Sequence, residues 1–227
     1  MNPSIIKALK FSGITVAGIA ALFVILEPAI SWAIGDQFIV TQEITSEISF
    51  LTAPLDVTMT PTIAGITGGT ANGGTQVVVY TNDSSGYNMT LTASSSAGMV
   101  GNSQGGTIPA LSSTTAGVPD FSFDATTIAA NTARFAYTVE ASTTADLDQS
   151  FKDNGSTACN TGANDTALKC WLNSSTTPEM IVNRNSFTTA SGATTTIRFR
   201  VVVRSSPVPS LAEDFYTSTT TLTAVTN

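Results

Sequence analysis

Histidine is absent from this chain of 227 residues, and only two cysteines are present. Without histidine, Ser-His-Asp and Cys-His nucleophile activation is excluded, together with the usual zinc sites. The two cysteines have no CxxC spacing and no third candidate ligand, so redox or metal-thiolate chemistry is unsupported. Only carboxylate-based catalysis remains among the common options. The sequence therefore predicts that the protein is not an enzyme, with a carboxylate glycosidase as the alternative.

Charged residues are also scarce, at 11% of the chain, and acidic ones prevail. The 9 Lys and Arg residues against 16 Asp and Glu residues give a net charge of −7. Such an acidic surface argues against nucleic acid and anionic lipid as partners. Ser, Thr, Asn and Gly dominate between the apolar stretches. Thr suits strands and Gly and Asn suit turns, so the composition favours β-structure.

The amino-terminal stretch is typical of a secretory signal. Two lysines precede an apolar run over residues 11–26, and Ser31 and Ala33 provide the small residues of a cleavage site. We therefore expect cleavage before Ile34, with residues 1–33 as the signal peptide. The expected localisation is secreted, at the extracellular cell surface, with membrane contact only through the signal segment before cleavage.

Two alternatives to this signal peptide stay open. The first is an uncleaved membrane anchor, although the run of 16 residues is shorter than the roughly 18–20 residues needed to span a bilayer. The second is a pilin-type leader cut after Lys10. Thr15 stands where that kind of leader usually has an acidic residue.

The rest of the chain, residues 34–227, predicts a single all-β domain. Alternation of apolar and polar residues with period two marks candidate strands between turns rich in Gly, Ser and Asn. The candidate strands are residues 38–50, 55–59, 75–81, 87–93, 133–139, 194–203 and 215–225, with a glycine-rich turn at 65–74 and a surface excursion at 94–118. This pattern predicts an Ig-like or jelly-roll-type antiparallel β-sandwich, preceded by the apolar signal helix.

The two cysteines lie in one region without a strand pattern, about residues 141–178. Cys159 and Cys170 are close in sequence, and such a pair in an exported chain predicts a structural disulfide that constrains a loop. On the chain-entropy model, closing a loop of this size stabilises the fold by about 3 kcal/mol. We therefore expect a loop insertion held by a disulfide.

A group of oxygen-bearing side chains precedes the first cysteine. Asp146, Asp148, Ser150 and Asp153 have a spacing that resembles a calcium loop. The pattern departs from an EF-hand, because Phe151 stands where glycine is required and no acidic residue closes the loop. The sequence predicts solvated turn acids and no cofactor, with an irregular calcium loop as the alternative.

The first candidate strand is unusually long. Its apolar residues recur at Phe38, Val40, Ile44, Ile48 and Phe50. At about 3.3 Å per residue such a strand extends roughly 43 Å, whereas ordinary strands have about 5–6 residues. The strand either bends within its own domain and switches sheets, or sends its first half into a neighbouring copy as an added strand.

Two stretches resemble known families. Residues 77–83 followed by 86–92 resemble the core of bacterial WxL-type surface domains, with Tyr87 and Met89 where those domains have Trp and Leu. Residues 212–224 are similar to the closing strand of spore-coat-U and chaperone–usher pilin-type subunits. The resemblance implies an exported structural protein of the cell surface. The likeness to WxL domains also implies binding to the cell wall.

Trp171 and Tyr87 are candidates for a ligand platform. Trp171 directly follows Cys170, so it either covers the disulfide or stacks against a sugar. Taken together, the patterns predict a structural subunit of a bacterial surface coat or pilus-like filament, which joins copies of itself by donor-strand-like edge pairing. The alternative function is a surface module that binds cell-wall polymer or glycan.

Overall fold

A computed structural model describes residues 39–227 of the chain. The expected signal peptide, residues 1–33, and Phe38 therefore lie outside the described residues. The chain divides into two compact units, Met1–Glu43 and Ile44–Asn227. Of the first unit, only residues 39–43 are described, and they belong to no strand or helix.

The second unit is built from strands. Along the chain they are β1 (Ile48–Thr52), β2 (Gly69–Thr81), β3 (Tyr87–Ala93), β4 (Gly98–Gly101), β5 (Thr107–Pro109), β6 (Ala133–Ala141), β7 (Glu179–Arg184), β8 (Ala193–Val203), β9 (Tyr216–Thr217) and β10 (Thr220–Thr226). Two short 3-10 helices, Thr144–Asp146 and Gln149–Phe151, lie between β6 and β7. Every strand pair is antiparallel, so the predicted all-β antiparallel class is confirmed. Within residues 39–227, no helix is long and apolar enough to cross a membrane.

The strands form three sheets. The first sheet has the order β1-β2-β8-β6, the second β10-β3-β7 and the third β5-β4-β9. In the first sheet, β2 and β8 pair without interruption from Gly69 opposite Val203 to Val79 opposite Ala193. The long β2–β8 ladder is thus the backbone frame on which the edge strands β1 and β6 are placed.

The main core contains side chains from the first and second sheets. Along β3 the burial alternates, with Tyr87, Met89, Leu91 and Ala93 buried. These side chains belong to the same cluster of buried residues as the inward-facing side chains of β2, β6 and β8. Burial of this shared apolar surface is the main favourable contribution to stability, at about 25 cal/mol per Å².

A second, smaller core lies on the opposite face of the first sheet. Ala136 of β6 and Val202 of β8 point to this face, and Trp171 covers them. Leu111, Phe123 and Ile128 complete the cluster. The loop between β5 and β6 is therefore folded onto the sheet, and the expected surface excursion at 94–118 also contains the short strands β4 and β5.

The prediction of a long first strand is wrong for most of its length. The strand begins at Ile48, and residues 39–47 belong to no strand. The reason is the end of its partner, because β2 stops at Thr81 and offers no further backbone groups. The Asn82 side chain takes over, accepting a hydrogen bond from the Glu47 N–H (2.6 Å) and donating one to the Thr45 carbonyl (3.0 Å).

Two further strand predictions need correction. The sequence predicts a strand at residues 55–59, where the structure has none, and a turn at 65–74, of which residues 69–74 belong to β2. Gly73 of β2 explains both differences. A Cβ atom there would lie 2.5 Å from Val57 and 3.0 Å from Met59. Glycine in a strand often marks such a close approach, and here it lets the 55–59 segment pack over β2.

The β7 strand has no counterpart among the predictions. Its apolar residues Met180, Ile181 and Val182 are consecutive, so period-two alternation does not reveal it. The pairing with β3 shifts register between Met89 and Thr90, which marks a bulge. A bulge places two neighbouring residues against one partner residue, and Ile181 and Val182 are both fully buried.

The turn between β2 and β3 provides a test of this backbone arrangement. Gly86 has φ +83° and a Cβ there would lie 2.1 Å from the Arg184 carbonyl oxygen. We expect Gly86→Ala to lower the free energy of unfolding by about 3 kcal/mol or more, because the backbone at Arg184 must move away from the added Cβ atom. Gly105→Ala is the matched control, with φ +70° and open space around it. It should cost only about 1–2 kcal/mol.

Urea unfolding of the two variants checks this expectation. Equal losses of unfolding free energy in Gly86→Ala and Gly105→Ala would contradict the close packing of the β2–β3 turn against the end of β7.

Candidate functional site

In the first and second sheets, two strands leave one edge without a backbone partner among the described residues. These open edges belong to β1 in the first sheet and β10 in the second. The opposite edges are covered, since Tyr137 of β6 exchanges two backbone hydrogen bonds with Leu172 and Val182 of β7 bridges to Leu147. In these two sheets the uncovered backbone groups are therefore concentrated on β1 and β10.

The open edges carry exposed apolar side chains. On β1, Phe50 is 37% exposed and Leu51 is 52% exposed, and on β10 Val225 is 52% exposed. An open edge is a template for pairing with another strand, and natural proteins commonly protect it with charges or proline. Neither β1 nor β10 contains a charged residue or a proline. Nothing in the sequence of these two strands protects them from pairing.

A cleft of about 450 Å³ opens between β10 and the segment that follows β1. Its lining includes Leu91 of the second sheet and Phe135, Ile197 and Phe199 of the first sheet, which all point into the main core. Residues 54–57 and 219–222 also contribute to the lining. The cleft thus lies beside the start of β10 and reaches side chains of the main core.

The segment before β1 is rich in exposed apolar side chains. Ile39 is 91% exposed, and Val40 and Ile44 are each 83% exposed. Of the residues predicted for an assembly strand, Ile48 and Phe50 lie on β1, and Val40 and Ile44 lie before it. Large apolar side chains exposed together commonly mark a surface that binds another molecule.

The predicted ligand platform is wrong, because Trp171 and Tyr87 are both completely buried. Trp171 belongs to the second core, where the Arg200 guanidinium lies 4.3 Å from its ring centroid and its indole N–H donates to the Leu168 carbonyl (2.8 Å). Tyr87 is the first inward-facing residue of β3. Neither ring can stack against a ligand at the surface.

The candidate calcium ligands bond separately to protein groups. Asp146 pairs with an arginine of β7, and Asp148 accepts hydrogen bonds from the backbone and hydroxyl of Ser150. Asp153 is fully buried, contrary to the expected solvated turn acid, and its carboxylate accepts three hydrogen bonds from the surrounding loop. In residues 39–227, no three acidic, histidine or cysteine side chains converge to hold a metal ion.

The expected disulfide is present. Cys159 and Cys170 are bonded with an S–S distance of 2.09 Å. The bond lies in the segment between β6 and β7, residues 142–178, which contains only isolated bridges and two 3-10 turns. It joins the loop that precedes Cys159 to the stretch that leads into Trp171.

A second concavity, which we name the outer groove, lies beside this disulfide loop. It has a volume of about 840 Å³ and is lined by Leu111, Ser112, Thr114, Asp120, Phe121, Ser122, Thr127, Ile128, Ala129, Arg134, Ser156, Thr157 and Lys169. These residues come from the β5–β6 loop, the start of β6 and both sides of the disulfide. Because these residues are far apart in the sequence, no local motif predicts the groove.

Two buried tyrosine hydroxyls lack a hydrogen-bond partner among the described residues. They belong to Tyr87 and Tyr137. Burial, assisted by the nearby Asp146 carboxylate, raises the pKa of Tyr87 to about 12. Burial also raises the pKa of Tyr137. The folded state therefore keeps both phenols protonated at pH values where an unfolded chain would release their protons.

These hydroxyls lead to a prediction on pH dependence. In the unfolded chain tyrosine titrates near pH 10, so the unfolding free energy should fall as pH rises from about 10 to 12. Tyr87→Phe should reduce this slope. At pH 7 it should leave stability unchanged or raise it by about 1 kcal/mol, because an unpaired buried hydroxyl is removed. Urea unfolding across this pH range measures both effects, and a marked loss at pH 7 would contradict the absence of a partner.

Comparison with family models, curated proteins and solved structures finds no match to this chain. Its function is therefore inferred from its own residues.

Proposed function

We propose that the chain is an exported structural subunit of a bacterial surface coat or filament, and that copies join by adding a strand to an open sheet edge. The observation that carries this proposal is the exposure of Ile39, Val40 and Ile44 immediately before the open edge strand β1. Exposing large apolar side chains to water is unfavourable. A second copy that covers them removes this cost.

Backbone geometry supplies the donor. Once this segment pairs as a strand, alternate side chains point to the same side, so Val40 and Ile44 would share one face. The backbone N–H and C=O groups of residues 39–44 are in no strand of their own chain. Apart from the Glu43 carbonyl, which accepts a hydrogen bond from the Gln42 side chain (2.7 Å), they are available for main-chain pairing with another copy, as in donor-strand addition.

The acceptor is the region between β1 and β10. Both strands have an uncovered edge, and the start of β10 lines the 450 Å³ cleft together with Leu91, Phe135, Ile197 and Phe199. A strand added to either edge gains backbone hydrogen bonds, and a strand added beside β10 also brings side chains to the cleft. Hydrogen bonds give affinity in this mode of recognition, and pockets for alternate side chains give specificity.

The same proposal includes a β-sandwich arrangement of the sheets and secretion to the cell surface. We take the first and second sheets as the two layers of an Ig-like or jelly-roll-type β-sandwich, because one buried cluster draws on both. Secretion to the cell surface is supported by the signal-like amino terminus and by the disulfide, which is typical of exported proteins. The resemblance to WxL-type domains and pilin-type subunits agrees with this placement.

The proposal is tested by charge substitutions in the donor segment. Full-length protein with Val40→Asp and Ile44→Asp should lose high-mass assemblies in light scattering and negative-stain images, because burying a charged side chain against the apolar side chains of another copy is costly. The matched control is Ile66→Asp, at a side chain that is 78% exposed in the turn before β2. Its assemblies should persist.

Two outcomes would reject strand addition. One is wild-type protein that stays monomeric at high concentration. The other is equal loss of assembly in the Ile66→Asp control, which would point to general aggregation through exposed apolar groups.

A further inference from the structure

We propose that the outer groove binds a short stretch of an anionic saccharide, a sugar chain that carries carboxylate or phosphate groups. The groove uses none of the residues assigned to strand addition, so this inference stands apart from the proposed assembly. Its volume of about 840 Å³ lies within the range of about 300–1,000 Å³ that is common for ligand sites.

The first observation is a pair of cations without acidic partners. Arg134 and Lys169 both line the groove, and the two ion pairs found within residues 39–227 use other arginines. The Arg134 guanidinium donates to the carbonyl of Ala133 (2.9 Å), and the Lys169 ammonium donates to the Ser122 hydroxyl (3.2 Å). In a chain of net charge −7, two such cations in one concavity favour an anionic ligand.

The second observation is the density of hydroxyl groups around these cations. Six serine and threonine side chains line the groove: Ser112, Thr114, Ser122, Thr127, Ser156 and Thr157. Asp120 adds a carboxylate, one oxygen of which accepts two hydrogen bonds from Thr114. Hydroxyls donate and accept and a carboxylate accepts. This mixture suits a polyhydroxylated ligand better than a bare polyanion, which the carboxylate would repel.

The third observation is that the groove is held in place before any ligand arrives. Leu111 and Ile128 belong to the second core and form a buried apolar part of the lining. The Lys169 ammonium lies 4.5 Å from the ring centroid of Phe121, which favours this position through a cation–π interaction. A site organised in advance loses less conformational entropy on binding.

The disulfide links two parts of this lining. Ser156 and Thr157 closely precede Cys159, and Lys169 directly precedes Cys170. The bond between the cysteines therefore holds the hydroxyl-bearing loop near the lysine. The insertion between β6 and β7 thus forms one wall of the groove.

Both cations are anchored to the same strand. The Thr138 hydroxyl donates to the Lys169 carbonyl, so Lys169 is attached to β6 at Thr138. Arg134 lies four residues earlier on β6, and alternate residues of a strand share a face. The backbones that carry the two cations are therefore fixed relative to each other.

Calorimetric titration of the full-length protein tests the inference with three probes: trigalacturonate, a phosphorylated trisaccharide and the neutral maltotriose. At least one of the two anionic probes should bind tenfold or more tightly than maltotriose. Arg134→Gln and Lys169→Gln should each weaken that binding about tenfold or more. The matched control is Lys152→Gln, which removes the same charge from a lysine outside the groove and should change the affinity less than twofold.

The probes also separate the two sources of negative charge, because a preference for trigalacturonate indicates carboxylate and a preference for the phosphorylated sugar indicates phosphate. The inference is overturned if neither anionic probe binds, or if maltotriose binds equally well. It is also overturned if Lys152→Gln weakens binding as much as the groove variants, since the attraction would then be general. Near-ultraviolet circular dichroism confirms that the variants are folded.

Discussion

The need of backbone N–H and C=O groups for hydrogen-bond partners is the constraint on which the rest of this structure depends. The ladder between β2 and β8 satisfies it for the centre of the first sheet, and chain segments around Leu172 and Leu147 satisfy it along the outer sides of β6 and β7. On the other side the chain supplies no such cover within residues 39–227. Because β2 stops at Thr81, the segment before Ile48 pairs with no strand within residues 39–227. The described part of the chain thus contains both open edges and an apolar segment that belongs to no strand.

The molecule is accordingly asymmetric in how it uses its loops. The β5–β6 loop and the disulfide insertion are folded over the outer face of the first sheet, where they bury Trp171 beneath the Arg200 guanidinium. This covering layer also creates the outer groove, with Arg134 and Lys169 in its lining. The opposite side, around β1 and β10, has open edges and a cleft. Assembly through one side and saccharide binding through the other would be compatible, since they draw on different residues.

The sequence predicts the elements in which alternation and burial agree. The strands β3 and β8 alternate between buried and less buried residues over most of their length, whereas β6 is buried on both faces from Phe135 to Val139, and the predicted ranges match all three closely. The prediction fails where a partner decides the outcome. Residues 39–47 have the pattern of a strand and lack a neighbour, and Gly69–Gly74 have the composition of a turn and gain one. The local sequence around Trp171 permits a ligand platform, because it does not reveal that the β5–β6 loop buries this side chain. The outer groove could not be predicted, since its residues converge only after folding.

The central claim is that the open edges of β1 and β10 are completed by another copy. Hydrogen–deuterium exchange of the backbone amides tests it most directly, comparing assembled protein with protein dissociated at low concentration. The account predicts that exchange slows on assembly in residues 39–44 and along β1 or β10, while β2 and β8 stay equally protected in both states. Unchanged exchange in residues 39–44, β1 and β10 would contradict it, because copies would then associate without adding a strand.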